Sequence, residues 1–86
     1  MKFAKIKQKV GIGTLQLEEK INEEIGEFEE ALKYKDIEEQ LAEGFDVMQA
    51  VYSMLLVRVN YDVEKLEKAN IKHLEKLRGR GHEFID

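Results

Sequence analysis

Apolar side chains recur along this chain with the period of an α-helix, in three long stretches. Between Thr14 and Tyr34, residues Leu17, Ile21, Ile25, Phe28 and Leu32 fall three or four apart and line one helical face. A second helix is expected to start after Asp36, which with Glu39 three residues on has the form of a capping box, and to run to about Val59. A third is expected to begin near residues 60–62 and to end at Arg78, with Gly79 as its stop. Val63, Leu66, Leu74 and Leu77 make its stripe, and Asn70 falls in the middle of it, as either a register-setting polar group or a site residue. Phe3, Ile6 and Val10 share a face if residues 2–10 form a short fourth helix. The connections are short, so neighbouring helices should run antiparallel. The expected fold is all-α, an antiparallel bundle of three long helices in one domain over residues 1–86, with residues 1–13 as a basic arm and 79–86 as a tail.

The second helix carries more apolar surface than one bundle can cover. Ile37, Leu41, Phe45, Met48, Tyr52, Leu55 and Val59 form one stripe, while Val47, Ala50, Met54 and Val57 form another on the opposite side. A helix apolar on both sides is buried on both sides. Three helices of one subunit cannot do this alone, so a partner subunit is expected to cover the second face.

Two acids share that second face. Glu43 and Asp46 lie three residues apart in line with Ala50 and Met54, and no Lys or Arg occurs between Lys35 and Arg58 to neutralise them from the same helix. Unpaired buried carboxylates are costly, and a hard divalent cation such as Mg²⁺, which takes oxygen ligands, resolves the cost. On the first helix Glu24 and Glu27 are also three apart and sit about 60° and about 120° off the centre of its stripe. Glu18, Glu19, Glu29 and Glu30 have no such placement and read as solvated. Gly26 and Gly44 lie inside the two acidic segments, where they permit close helix approach.

Composition sharpens this picture. The formal charge of −4 hides a segregation: residues 1–17 carry +4, residues 18–46 carry −9 and residues 47–86 carry +1. A net negative chain is a poor general nucleic-acid binder. The chain has no Cys, which excludes disulfides, a thiolate metal site and a cysteine nucleophile. No apolar run reaches the roughly 18 residues of a membrane span, and no apolar signal segment follows the basic start, so a cytoplasmic protein without nucleic-acid or membrane partners is expected. Gly11-Ile12-Gly13-Thr14 is not a phosphate-binding loop, because the Lys-Ser/Thr that would follow is missing. With 86 residues and no disulfide, the chain should gain stability from oligomerisation or a bound metal.

Glu23-Glu24-Ile25-Gly26-Glu27, a fifteen-residue gap, and Glu43-Gly44-Phe45-Asp46 together read EExxE followed by ExxD. Over about residues 16–56 this resembles the MazG-like nucleoside triphosphate pyrophosphohydrolases of the all-α NTP pyrophosphatase superfamily. The phosphoribosyl-ATP pyrophosphohydrolases share that superfamily, and the EEIGE text looks closer to the MazG side. The resemblance implies Mg²⁺-dependent cleavage between the α- and β-phosphates of a nucleoside triphosphate, with Mn²⁺ as a substitute metal. It implies Glu24, Glu27, Glu43 and Asp46 as metal ligands, with one of them or Glu23 activating water. Asn70-Ile71-Lys72 matches the family's N-x-K/R element, so Asn70 and Lys72, with Lys76 nearby, are the implied phosphate contacts. A homodimer or homotetramer is the implied assembly. Three other readings compete, the first being a phosphoribosyl-ATP pyrophosphohydrolase within the same superfamily. A non-catalytic helical assembly module gives the four acids no common purpose. A di-iron carboxylate bundle would carry a Glu-x-x-His pair, which neither motif contains.

Overall fold

Each helix starts and stops where a particular side chain or backbone bond closes it, as a computed structural model describing residues 2–9 and 11–85 shows. The order is α1 (Thr14–Tyr34), α2 (Ile37–Arg58) and α3 (Val63–Gly79), with no strand among the described residues. Gln16 opens α1 by reaching back, its Oε1 accepting from the Gly13 N–H at 3.0 Å. Asp36 caps α2 by accepting from the Glu39 N–H at 2.9 Å, and Asp62 caps α3 by accepting from the Lys65 N–H at 3.2 Å.

Both α2 and α3 end in a left-handed closing turn. After α2, Asn60 and Tyr61 take positive φ (53° and 62°), and their N–H groups donate to Val57 O at 3.0 Å and Leu56 O at 2.7 Å. After α3 the same pattern uses Gly81, with φ 86°, and His82 donating to Leu77 O at 3.2 Å. The stop is thus Gly81, and Gly79, expected to end the helix, lies inside it.

Residues 2–9 form no helix or strand; they make a strap tied to α2 and to the turn that follows it. Gln49 makes a two-way amide pair with Ala4, accepting from its N–H at 3.0 Å and donating to its carbonyl at 2.9 Å. Farther along, the Gln8 N–H donates to the Tyr61 hydroxyl at 3.0 Å, and the Phe3 and Tyr52 rings lie 5.4 Å apart. A helix this short is marginal by itself, and here the strap's backbone finds partners on Gln49 of α2 and Tyr61 beyond it instead. Val10, the third residue of the expected short helix face, lies outside the described residues.

α1 and α2 pack tightly on one another, and α3 touches only α2. The α1–α2 seam closes on Gly44, where an added Cβ would come within 3.3 Å of Phe28 Cε1. Gly26 needs no such clearance, since a Cβ there meets nothing within 4 Å. The seam is rotated from the expected stripe of α1: Leu17, Glu24 and Ala31 are buried, while Ile25 and Leu32 are exposed. On α2 the two stripes exchange roles. Val47, Ala50, Met54 and Val57 are half-buried, while Ile37, Leu41, Phe45, Met48 and Leu55 of the other stripe are exposed and its Tyr52 and Val59 are half-buried. Small side chains explain the choice, because Ala31, Gly44 and Ala50 let the two backbones approach where Phe45 and Met48 would hold them apart.

Along α3, Val63, Leu66, Leu74 and Leu77 are half-buried, as their spacing suggests, but Asn70 is exposed and not part of a core. Among the described residues, the middle of α3 is uncovered, with positions 67–73 all exposed. The fold is correspondingly open. Its radius of gyration is 15.0 Å, against about 12 Å for a compact chain of this length. Leu17, Ala31 and Leu56 are the buried apolar residues among those described. No described helix is long and apolar enough to cross a membrane.

Candidate metal centre

The α1–α2 seam brings three carboxylates to one point. Glu24 and Glu27 project from successive turns of α1, and Glu43 reaches them from α2. One oxygen from each lies within 4.8 Å of the other two. Glu24 is buried at 6% exposure, Glu43 is half-buried and Glu27 is exposed. Lys20, one turn before Glu24, places its Nζ 2.6 Å from Glu24 Oε1 and 3.8 Å from Glu23 Oε1. This lysine is the part of the site that sequence reasoning missed, although its i,i+4 spacing to Glu24 was there to be read.

One ammonium does not balance three carboxylates. Glu24 Oε2 and Glu43 Oε2 are both buried without a hydrogen-bond partner. The neighbouring Glu24 carboxylate, helped by partial desolvation and by Glu43 and Glu23, holds the Glu27 carboxyl above its ordinary range, with Lys20 opposing. The Lys20 ammonium is in turn held above its usual value, first by its hydrogen bond to Glu24 and then by the charge of Glu23. Orphaned buried oxygens on all-oxygen donors fit a hard divalent cation such as Mg²⁺ or Mn²⁺.

Two hollows flank the acids. A cavity of about 410 Å³ is lined by Lys20, Glu24 and Asp46 together with Gln49, Ser53 and the strap residue Gln8. Ser53 is buried and accepts from Gln49 Nε2 at 3.2 Å, so the same glutamine that pins the strap also shapes this wall. A smaller hollow of about 140 Å³ on the other side is lined by Glu27, Glu43 and Lys35 among others.

A family model described as phosphoribosyl-ATP pyrophosphohydrolase matches residues 5–76. The chain belongs to this family. The family lies within the all-α, MazG-like pyrophosphohydrolase superfamily, so the broader resemblance read from the two acidic motifs holds. The match does not single out the MazG branch within it, to which the EEIGE text looks closer. No curated protein and no solved structure matches the chain.

Within the phosphoribosyl-ATP pyrophosphohydrolase match, the sequence-derived site residues fall into three groups. Glu24, Glu27 and Glu43 converge. Asp46 is exposed and stands beside Glu24 on the wall of the larger cavity, outside the trio, and Glu23 is exposed next to Lys20. Asn70, Lys72 and Lys76 are all exposed on α3, which makes no contact with α1. One chain therefore does not bring the implied phosphate contacts to the acids.

Proposed function

We propose that this chain is a Mg²⁺-dependent pyrophosphohydrolase that cleaves the α–β phosphate bond of a nucleoside or deoxynucleoside triphosphate. The products are the monophosphate and pyrophosphate. The observation that carries the reading is the carboxylate trio of Glu24, Glu27 and Glu43 with two buried, partnerless oxygens. Glu24, Glu27 and Glu43 hold the metal, and Asp46 joins them from the cavity wall. When bound, the metal supplies positive charge against the phosphate oxygens and the charge that develops in the transition state. Glu23, or one of the four ligands, orients the attacking water and accepts its proton. Water oxygen bonds to one phosphorus of the α–β anhydride as the bond from that phosphorus to the bridging oxygen breaks, and the monophosphate and pyrophosphate separate. Asn70, Lys72 and Lys76 hold phosphate oxygens, reaching the site from a second copy of the chain.

The exposed surface supports such a copy. The chain exposes 7219 Å², against about 5,300 Å² for a compact protein of its mass. Two copies have about 3,800 Å² of surplus to bury, within the range of obligate homodimers. The outward stripe of α2, from Ile37 to Leu55, is one apolar part of that surplus, and Ile25 and Leu32 of α1 are another.

The family match favours phosphoribosyl-ATP as a second candidate substrate, which carries the same triphosphate. Protein with Mg²⁺ is incubated with NTPs, dNTPs and phosphoribosyl-ATP, and the released phosphate species is identified. Pyrophosphate without orthophosphate is expected. Glu43→Gln and Asp46→Asn should each abolish release while the oligomer stays folded; full activity in both would overturn the site assignment.

A further inference from the structure

Lys20 is bound at one end and free at the other. Its ammonium pairs with Glu24 at 2.6 Å, yet the lysine side chain is 54% exposed while that of Glu24 is 8% exposed. The head can therefore leave without opening the α1–α2 seam. It satisfies only half of its partner, since Glu24 Oε2 remains without a hydrogen bond. A divalent cation among Glu24, Glu27 and Glu43 would bring more charge to the same oxygens and repel the ammonium. Lys20 also lines the larger cavity, beside Asp46, Gln49 and Ser53, and is the cationic residue on its wall. The bases of α3 lie on an element that does not touch α1. A lysine head on a flexible four-carbon stem is suited to a change of partner.

We propose that Lys20 exchanges partners: it neutralises Glu24 while the site lacks a divalent cation, and it turns to the phosphate oxygens of the ligand when Glu24 ligates the metal. This rests on the reading of the trio as a metal site. Lys20 thus lowers the affinity of the site for metal alone and raises its affinity for a phosphate chain in the presence of metal. Metal and phosphate are thereby favoured together over metal by itself.

The test uses the full chain and two titrations, of Mn²⁺ alone and of imidodiphosphate (a non-hydrolysable pyrophosphate mimic) into Mn²⁺-saturated protein. With the lysine head in solvent the pair is screened to about 1 kcal/mol, so Lys20→Met should bind Mn²⁺ roughly fivefold more tightly than the unaltered chain. The same variant should bind imidodiphosphate roughly fivefold more weakly. Lys20→Arg, which keeps the charge, should stay within about twofold in both titrations. A lysine that merely held Glu24 in place would give weaker Mn²⁺ binding in Lys20→Met, and that result overturns the proposal, as does unchanged imidodiphosphate binding. Circular dichroism checks that the variant folds, and Lys20→Gln serves in the same titrations if it does not. Failure of the unaltered chain to take up Mn²⁺ sinks the metal reading itself. Mn²⁺ uptake that is indifferent to Lys20 sinks this inference alone.

Discussion

At the scale of single residues, the acids are unequal because their surroundings are. Glu24 is buried with one oxygen orphaned, whereas Glu27 is exposed and crowded by Glu24. Raising a carboxyl's pKa in the folded state means that protonation favours folding. For Glu27 that contribution is complete below its ordinary value of 4.5 and is lost as pH rises through the raised value. The metal-free protein should therefore lose stability on this account as pH rises above 4.5 and through the raised value. Glu27→Gln should flatten the trend in thermal melts across that window; an unchanged slope contradicts the crowding. Metal acts in the opposite sense. At 100 times its Kd, Mg²⁺ should stabilise the chain by about 2.7 kcal/mol, a rise of roughly 10–20 °C for a domain of this size. In Glu43→Gln most of that rise should vanish, and a rise of the same size would show that the ion binds elsewhere.

At the scale of elements, the two glycines of the acidic segments part company. At Gly26 a Cβ meets open space, so Gly26→Ala should gain up to about 1 kcal/mol from helix propensity. At Gly44 the same gain is set against Phe28 at 3.3 Å, and Gly44→Ala should be neutral or destabilising by denaturant titration. Equal gains at both positions would mean that the seam is not tight. Much of this level was legible in the sequence. Periodicity and the Asp36 cap placed all three helices, and i,i+3 spacing paired Glu24 with Glu27. What periodicity lacked was the choice of face. Both sides of α2 are apolar, so the wheel alone could not say that Val47, Ala50 and Met54 turn inward while Phe45 and Met48 turn out. Side-chain size decided it, through Ala31, Gly44 and Ala50. The strap was illegible for a related reason. Its conformation depends on Gln49 and Tyr61, which lie 45 and 53 residues away in sequence. Asn70 was misplaced because its stripe presumed a neighbour for α3 that a single chain does not supply.

At the scale of the whole molecule, the proposed second copy would account together for an open shape, an uncovered α3 and an outward apolar stripe on α2. Light scattering after gel filtration should give at least twice the 10.1 kDa of the chain. Phe45→Glu, which sets a charge in the middle of the stripe, should shift the mass towards one chain, and a monomeric unaltered protein would contradict this assembly. Assembly is also what would bring Asn70, Lys72 and Lys76 within reach of the acids, so the same variant should lose turnover along with mass. The central claim is that the acidic trio is the metal site of a pyrophosphohydrolase. Pyrophosphate release with and without Mg²⁺, measured over the nucleotide panel for the unaltered chain and for Glu43→Gln, tests it most directly. Mg²⁺-dependent release of pyrophosphate from at least one triphosphate is expected, and none from Glu43→Gln. Orthophosphate as the product, or equal release by Glu43→Gln, would contradict it.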